Sequence, residues 1–131
     1  MSTPIGVEKI GEISAEVKSI LELSFAVGTP IYIGQSNIEH MEKSHPKEYE
    51  RYFGHLSEII SFPDFIGINK KDNSIEYVKI FVADSGKYLK VAVRISNDGY
   101  LFARSLYEIQ ERTIVAREAK GVLHRLTKPG K

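Results

Sequence analysis

The chain has 131 residues, 42% of them hydrophobic and 27% charged, with no cysteine and a formal net charge of +1. The missing cysteine excludes disulfides, thiolate metal sites and a cysteine nucleophile. There is neither a basic start followed by an apolar stretch nor a run near the roughly 18 apolar residues of a membrane span, so a cytoplasmic protein without a membrane partner is expected.

A chain of this length suits one domain that buries about two-thirds of the surface exposed when unfolded. Residues 1–131 are therefore expected to form a single unit, with 1–12 and 118–131 as flexible ends. Ser14 precedes Val17, Ile20 and Leu21, which recur at helical spacing, and a serine there can cap the first amides. A short helix is expected to follow it. TPIYIG, bracketed by Gly28 and Gly34, reads as a short strand. SNIE has the form of a capping box in which Ser36 and Glu39 exchange bonds, starting a helix at Asn37. Pro46 disfavours helical geometry at His45 but suits the first position of a new helix. The pair makes a corner, with the second helix running to about Phe53. HLSEIIS then gives a third helix, ending before Pro63.

From residue 64 the hydrophobic period changes. SIEYVKIFVA, KYLKVAVRIS and YLFARSLY are β-branched and aromatic runs separated by the turn-forming KKDN, DSGK and NDG, which makes three consecutive antiparallel strands. The last segment, ERTIVAREAKGVLHRL, is read as a strand over 112–116 followed by a short tail helix. The expected class is α+β: short N-terminal helices packed on an antiparallel meander of about four strands.

Two groups of side chains have the chemistry of a site. His40 and His45 carry imidazoles, the side chain suited to proton transfer near neutrality. Helical geometry turns His40 away from the face of Ile38 and Met41, whereas His45 falls on that face, at the corner fixed by Pro46. The histidines are five residues apart, interrupted by a proline and without an evident third ligand, so neither a metal nor another cofactor is expected. A structural role for His45, as a cap or half-buried ring, stands beside the catalytic one.

The second group is ARSLY with Arg94 on the neighbouring strand. Alternation puts Arg104 on one face and Ser105 with Tyr107 on the other. A two-residue turn at Asp98-Gly99 joins Arg94 to Ala103, Ser105 and Tyr107. A three-residue turn with Gly99 left-handed groups Arg94 with Phe102 and Arg104 instead. An arginine on this apolar hairpin is a natural clamp for a phosphate, or an ion-pairing partner emerging at the sheet end. Lys43, Lys47 and Lys90 join Arg94 as candidate substrate-binding cations.

The order YIGQSNIEHMEKSHPKEYERY, IISFPDFIGI and LFARSLYEI, over roughly residues 29–115, resembles the phage-associated members of the barnase, EndoU, colicin and RelE-like nuclease superfamily, the PBECR domains. The resemblance implies helices on a sheet of about four antiparallel strands and a metal-independent ribonuclease of toxin type, cleaving RNA through its 2'-hydroxyl. It implies that His45 is the general base or acid with His40 as counterpart, that Arg104 and Ser105 hold the phosphate, and that Tyr107 supplies a hydroxyl or a stacking ring. The expected partner is RNA, a tRNA or an mRNA, with an immunity or other protein partner as a further expectation.

Two rivals accompany this reading: a non-catalytic phage or defence module of the same fold that grips a protein or nucleic acid, and an enzyme acting on a phosphate-containing small molecule. Residues 112–131 carry Arg112, Arg117, Lys120, Arg125, Lys128 and Lys131 against Glu118 alone. A basic end on a mildly acidic body suits a phosphate-rich partner.

Overall fold

The computed structural model describes residues 6–126. Its first element is a strand, β1 (Val7–Glu12), followed by α1 (Ala15–Leu21), β2 (Pro30–Gly34) and α2 (Gln35–Ser44). Next come α3 (Pro46–Tyr52), a 3-10 turn at Phe53–His55 and α4 (Leu56–Ser61). The second half is β3 (Phe65–Ile68), β4 (Ile75–Phe81), β5 (Lys87–Ile95), β6 (Leu101–Ile109), α5 (Glu111–Ala119) and β7 (Leu123–Arg125). The class is α+β.

All seven strands join one mixed sheet in the order β1-β2-β6-β5-β4-β3-β7. The three consecutive antiparallel strands expected from sequence are its centre, β4 to β6, which β3 extends by one, but the sheet is larger than about four strands and the helices are interleaved with it. β2 pairs in parallel with β6 through only Ile31–Leu101 and Tyr32–Phe102, then leaves the ladder. From there α2 packs against β6. Both expected loose ends are paired where they are described: β1 lies along β2, and β7 lies along β3.

Local rules account for several of these elements. Ser14 caps α1 by accepting from the amide of Val17 at 3.1 Å, as its position predicts. His45 ends α2 in an extended conformation, φ −141° and ψ 69°, and Pro46 opens α3, which is the corner that a residue before proline must make. Two expectations need correction. The start of α2 is not a Ser36–Glu39 box: Gly34 is the cap residue, and Asn37, buried, accepts from the Gly34 amide at 2.9 Å. The helix therefore begins two residues earlier. The C-terminal order is also the reverse of that read from sequence, helix first and strand after. Thr113, Ile114 and Val115 are good strand formers, but Ile114 alone is buried among them, packed with Phe65, Val78, Ile109 and Leu123. A single buried side chain flanked by exposed or half-buried neighbours fits the one-sided contact of a surface helix, and tertiary packing overrides the local propensity.

The two faces of the sheet are covered differently. On one, Ile13, Val17, Leu56, Ile59 and Ile60 pack against Tyr77, Leu89, Val91, Val93, Leu101 and Leu106 in the main core. On the other, α5 covers Phe65 of β3, Val78 of β4 and Ile109 at the C-terminal end of β6 through the smaller cluster around Ile114, with Leu123 of β7 at its edge. β7 lies so close that a Cβ on Gly67 would collide with the Val122 carbonyl oxygen, so glycine is required there for packing. The β6 end of that face is left open between α2 and the β3–β4 turn.

Candidate active site

The open end of the sheet holds a cavity of about 810 Å³. The N-terminal turn of α2 lines it with Gln35, Ser36 and Asn37, and one turn on comes His40. The strands contribute Ala92, Arg94, Phe102, Arg104 and Ser105, and the β3–β4 turn contributes Asp72.

The β5–β6 hairpin settles the register that sequence left open. Gly99 is left-handed at φ +85°, and the Ser96 amide donates to the Tyr100 carbonyl at 2.8 Å. This is the three-residue turn, and it sets Arg94 opposite Phe102. The ladder then shifts: Val93 pairs with Ala103 but Ala92 pairs with Ser105, so Arg104 is an extra residue in β6. A bulge of this kind re-aims side chains without ending the strand. Uninterrupted alternation would have put Arg104 and Ser105 on opposite faces. The bulge brings both to the same cavity, with Arg94 and Phe102.

Arg94 and Arg104 are exposed, and among the described residues neither forms a hydrogen bond or close ion pair. The nearest opposing charge in the cavity is Asp72. The Ser74 amide, donating to it at 3.0 Å, and to a smaller extent the charge of Arg94 hold its carboxyl below the usual value. Asp72 is thus ionised beside Arg94. The amides of the first turn of α2 add partial positive charge to the same space. Two free guanidiniums, a hydroxyl and a helix N-terminus around one recess form an anion-binding arrangement.

The histidines are divided between two places. His40 lines the cavity, its Nδ1 3.4 Å from the Ser44 hydroxyl. His45 is half-buried one turn further along, where its ring stacks on Tyr107 with centroids 4.9 Å apart and planes 22° from parallel. Its Nδ1 lies 3.9 Å from the Glu48 carboxylate. Neither His45 nor Tyr107 is among the side chains lining the cavity. Of the lysines singled out by sequence, Lys43 is exposed on α2 and Lys47 lines a different groove, with Glu48, Arg51 and Lys87. Lys90 is buried, its ammonium 2.7 Å from Glu76 and 4.7 Å from the centre of the Tyr107 ring. Glu76 is further held by Arg117 at 2.9 Å and Asn69 at 3.3 Å.

Sequence reasoning missed Asp72, Gln35, Ser36 and Asn37 as cavity residues. Their only signal was turn and cap chemistry. It also missed that Lys90 is committed to Glu76. The visible trace was two charges, Glu76 and Lys90, inside otherwise apolar strands. Among the described residues, no group of three or more His, Asp or Glu side chains is arranged to hold a metal ion, and no helix is long and apolar enough to cross a membrane.

The model of one protein family, described as phage-Barnase-EndoU-ColicinE5/D-RelE like nuclease3 and abbreviated PBECR3, matches residues 8–116. The chain belongs to this family. No curated protein and no solved structure matches it. The matched span of the PBECR3 domain runs from β1 into α5 and includes His40, Arg94, Arg104 and Ser105, so the family relationship covers the cavity as well as the fold. The domain is of nuclease type.

Proposed function

We propose that this domain is a metal-independent endoribonuclease acting at the open end of the sheet. The observation that supports this best is the convergence of His40, Arg94, Arg104 and Ser105 on one cavity, whose arginines form no close ion pair among the described residues. A scissile phosphate seated between Arg94 and Arg104 exchanges its counterions for two guanidiniums, and Ser105 donates a hydrogen bond to a phosphate oxygen. His40 takes the proton of the adjacent 2'-hydroxyl as that oxygen attacks phosphorus. The bond from phosphorus to the 5'-oxygen breaks, and the departing oxygen takes a proton from water. The products are a 2',3'-cyclic phosphate and a 5'-hydroxyl. Charge that accumulates on the phosphate in the transition state is where the two arginines contribute most.

His45 has a different task in this scheme. Stacked on Tyr107, it fixes the α2–α3 corner against β6 and so holds α2, and His40 with it, at the cavity edge. The deciding experiment incubates purified protein with total tRNA and a structured RNA, with and without EDTA, and compares wild type, His40→Ala and His45→Ala on a gel. EDTA-resistant cleavage leaving 2',3'-cyclic ends is expected. It should fall about 10²-fold or more in His40→Ala at unchanged melting temperature. His45→Ala should lower the melting temperature and retain most of the activity. If His45→Ala instead abolishes cleavage in a fully stable protein while His40→Ala does not, the roles are exchanged. No cleavage by folded wild type would make the domain a binding module.

A further inference from the structure

A second cavity, of about 270 Å³, lies beside the first on the same face of the sheet, lined by Asn69, Lys70, Lys71, Glu76, Arg117 and Val122 among others. The two are joined by strand register. Ser105 pairs with Ala92, Ala92 with Glu76, and Glu76 with Gly67, which makes one row across β6, β5, β4 and β3. Ser105 and Ala92 line the first cavity and Glu76 the second. The β3–β4 turn joins them again, since Asp72 lines the first and its neighbour Lys71 the second. Two inter-strand steps of about 4.8 Å put Ser105 roughly 10 Å from Glu76, where the second cavity begins.

The charge of the second cavity is net positive. Its one carboxylate, Glu76, is buried and already bound by Lys90 and Arg117. Lys70 and Lys71 are exposed, and among the described residues their side chains form no hydrogen bond or ion pair. Between the cavities the row is low, a serine, an alanine and a glutamate drawn down into its ion pairs, and it ends at Gly67 beneath the Val122 carbonyl. A basic trough of this form follows the backbone of an extended strand, whereas a duplex presents its phosphates on a convex surface.

We infer that single-stranded RNA, held for cleavage at the first cavity, crosses this row and places a flanking phosphate on Lys70, Lys71 and the outer edge of Arg117. This rests on the nuclease reading and extends it: the substrate is an unpaired strand that continues past the scissile bond. Asp72, between the two cationic stations, repels a phosphate and accepts from a ribose hydroxyl or base amine, so the strand passes over it with its sugar or base.

The test compares kcat/KM on a dinucleotide and on an unpaired RNA of about twelve nucleotides, for wild type, a Lys70→Gln/Lys71→Gln double variant and a Lys70→Arg/Lys71→Arg control. Affinity for the longer RNA is followed against salt. Wild type and the arginine control are expected to prefer the longer RNA by tenfold or more. The glutamine variant should lose most of that preference, and its salt slope should fall by about 0.7 per lost contact. A glutamine variant with the wild-type length preference and salt slope overturns this inference and leaves the nuclease reading standing. Equal losses on both substrates would assign the lysines to the first cavity and also overturn it. A wild type that neither cleaves nor binds either RNA removes both readings together.

Discussion

The two faces of the β5–β6 hairpin are built from alternate residues of the same two strands, yet they do opposite work. One carries Leu89, Val91, Val93, Leu101, Ala103 and Leu106, all at most 1% exposed beneath the helices. The other carries Arg94, Phe102, Arg104 and Ser105 around an open cavity. Helices seal the first face. On the second, α5 stops short and leaves room for a ligand. The arrangement separates stability from chemistry within a single supersecondary unit, because a substitution on one face leaves the side chains of the other in place.

The largest effect is expected where that separation fails. Glu76 lies on the open face but is buried in ion pairs with Lys90 and Arg117. Glu76→Ala leaves the Lys90 ammonium buried without its partner, a loss of about 3–5 kcal/mol, measurable by urea unfolding. Leu106→Ala, on the sealed face, should cost about 2–5 kcal/mol while specific activity per folded molecule holds. Arg104→Ala sharpens the contrast from the other side: kcat/KM should fall about 10²-fold, the scale of a lost transition-state donor, with stability within about 0.5 kcal/mol of wild type.

The smallest effect concerns acid. Ser74 and Arg94 hold the Asp72 carboxyl below its unfolded value, so its stabilising contribution is full above the unfolded value and fades as pH falls through the folded one. Asp72→Asn should flatten the melting temperature against pH on the acid side. An unchanged acid limb would show that the carboxylate is not what the folded state loses there.

Much of this was legible where a rule needs only neighbours in sequence. Ser14, the His45–Pro46 corner and the three central strands follow from capping, proline sterics and alternation, and the family resemblance rested on the same segments. What required distant partners was not legible. β1 and β7 are short, and their pairing with β2 and β3 has no local signature. The bulge at Arg104 is invisible in ARSLY, because an extra residue is defined only against the opposing strand. Without it, Arg104 and Ser105 fell on opposite faces, and the site could not be assembled from the sequence. The histidines show the same limit. His45 occupied the better-fixed position, but the strand beside it decided that its ring meets Tyr107, and that His40 meets the cavity.

The bulge also makes fold and activity separable at the level of a single codon. Phe102 and Ser105 face the cavity while Ala103 and Leu106 face the core, so excising Arg104 leaves β6 in strict alternation. Ala103 and Ser105 would then be neighbours opposite Val93 and Ala92, partners they already have. Insertions and deletions inside strands ordinarily turn every following side chain to the wrong face. Here the shorter chain is the regular one. A lineage that lost this residue would keep its core, its hairpin and its neighbours, and retain the domain as a scaffold from which one cation of the cavity had been removed.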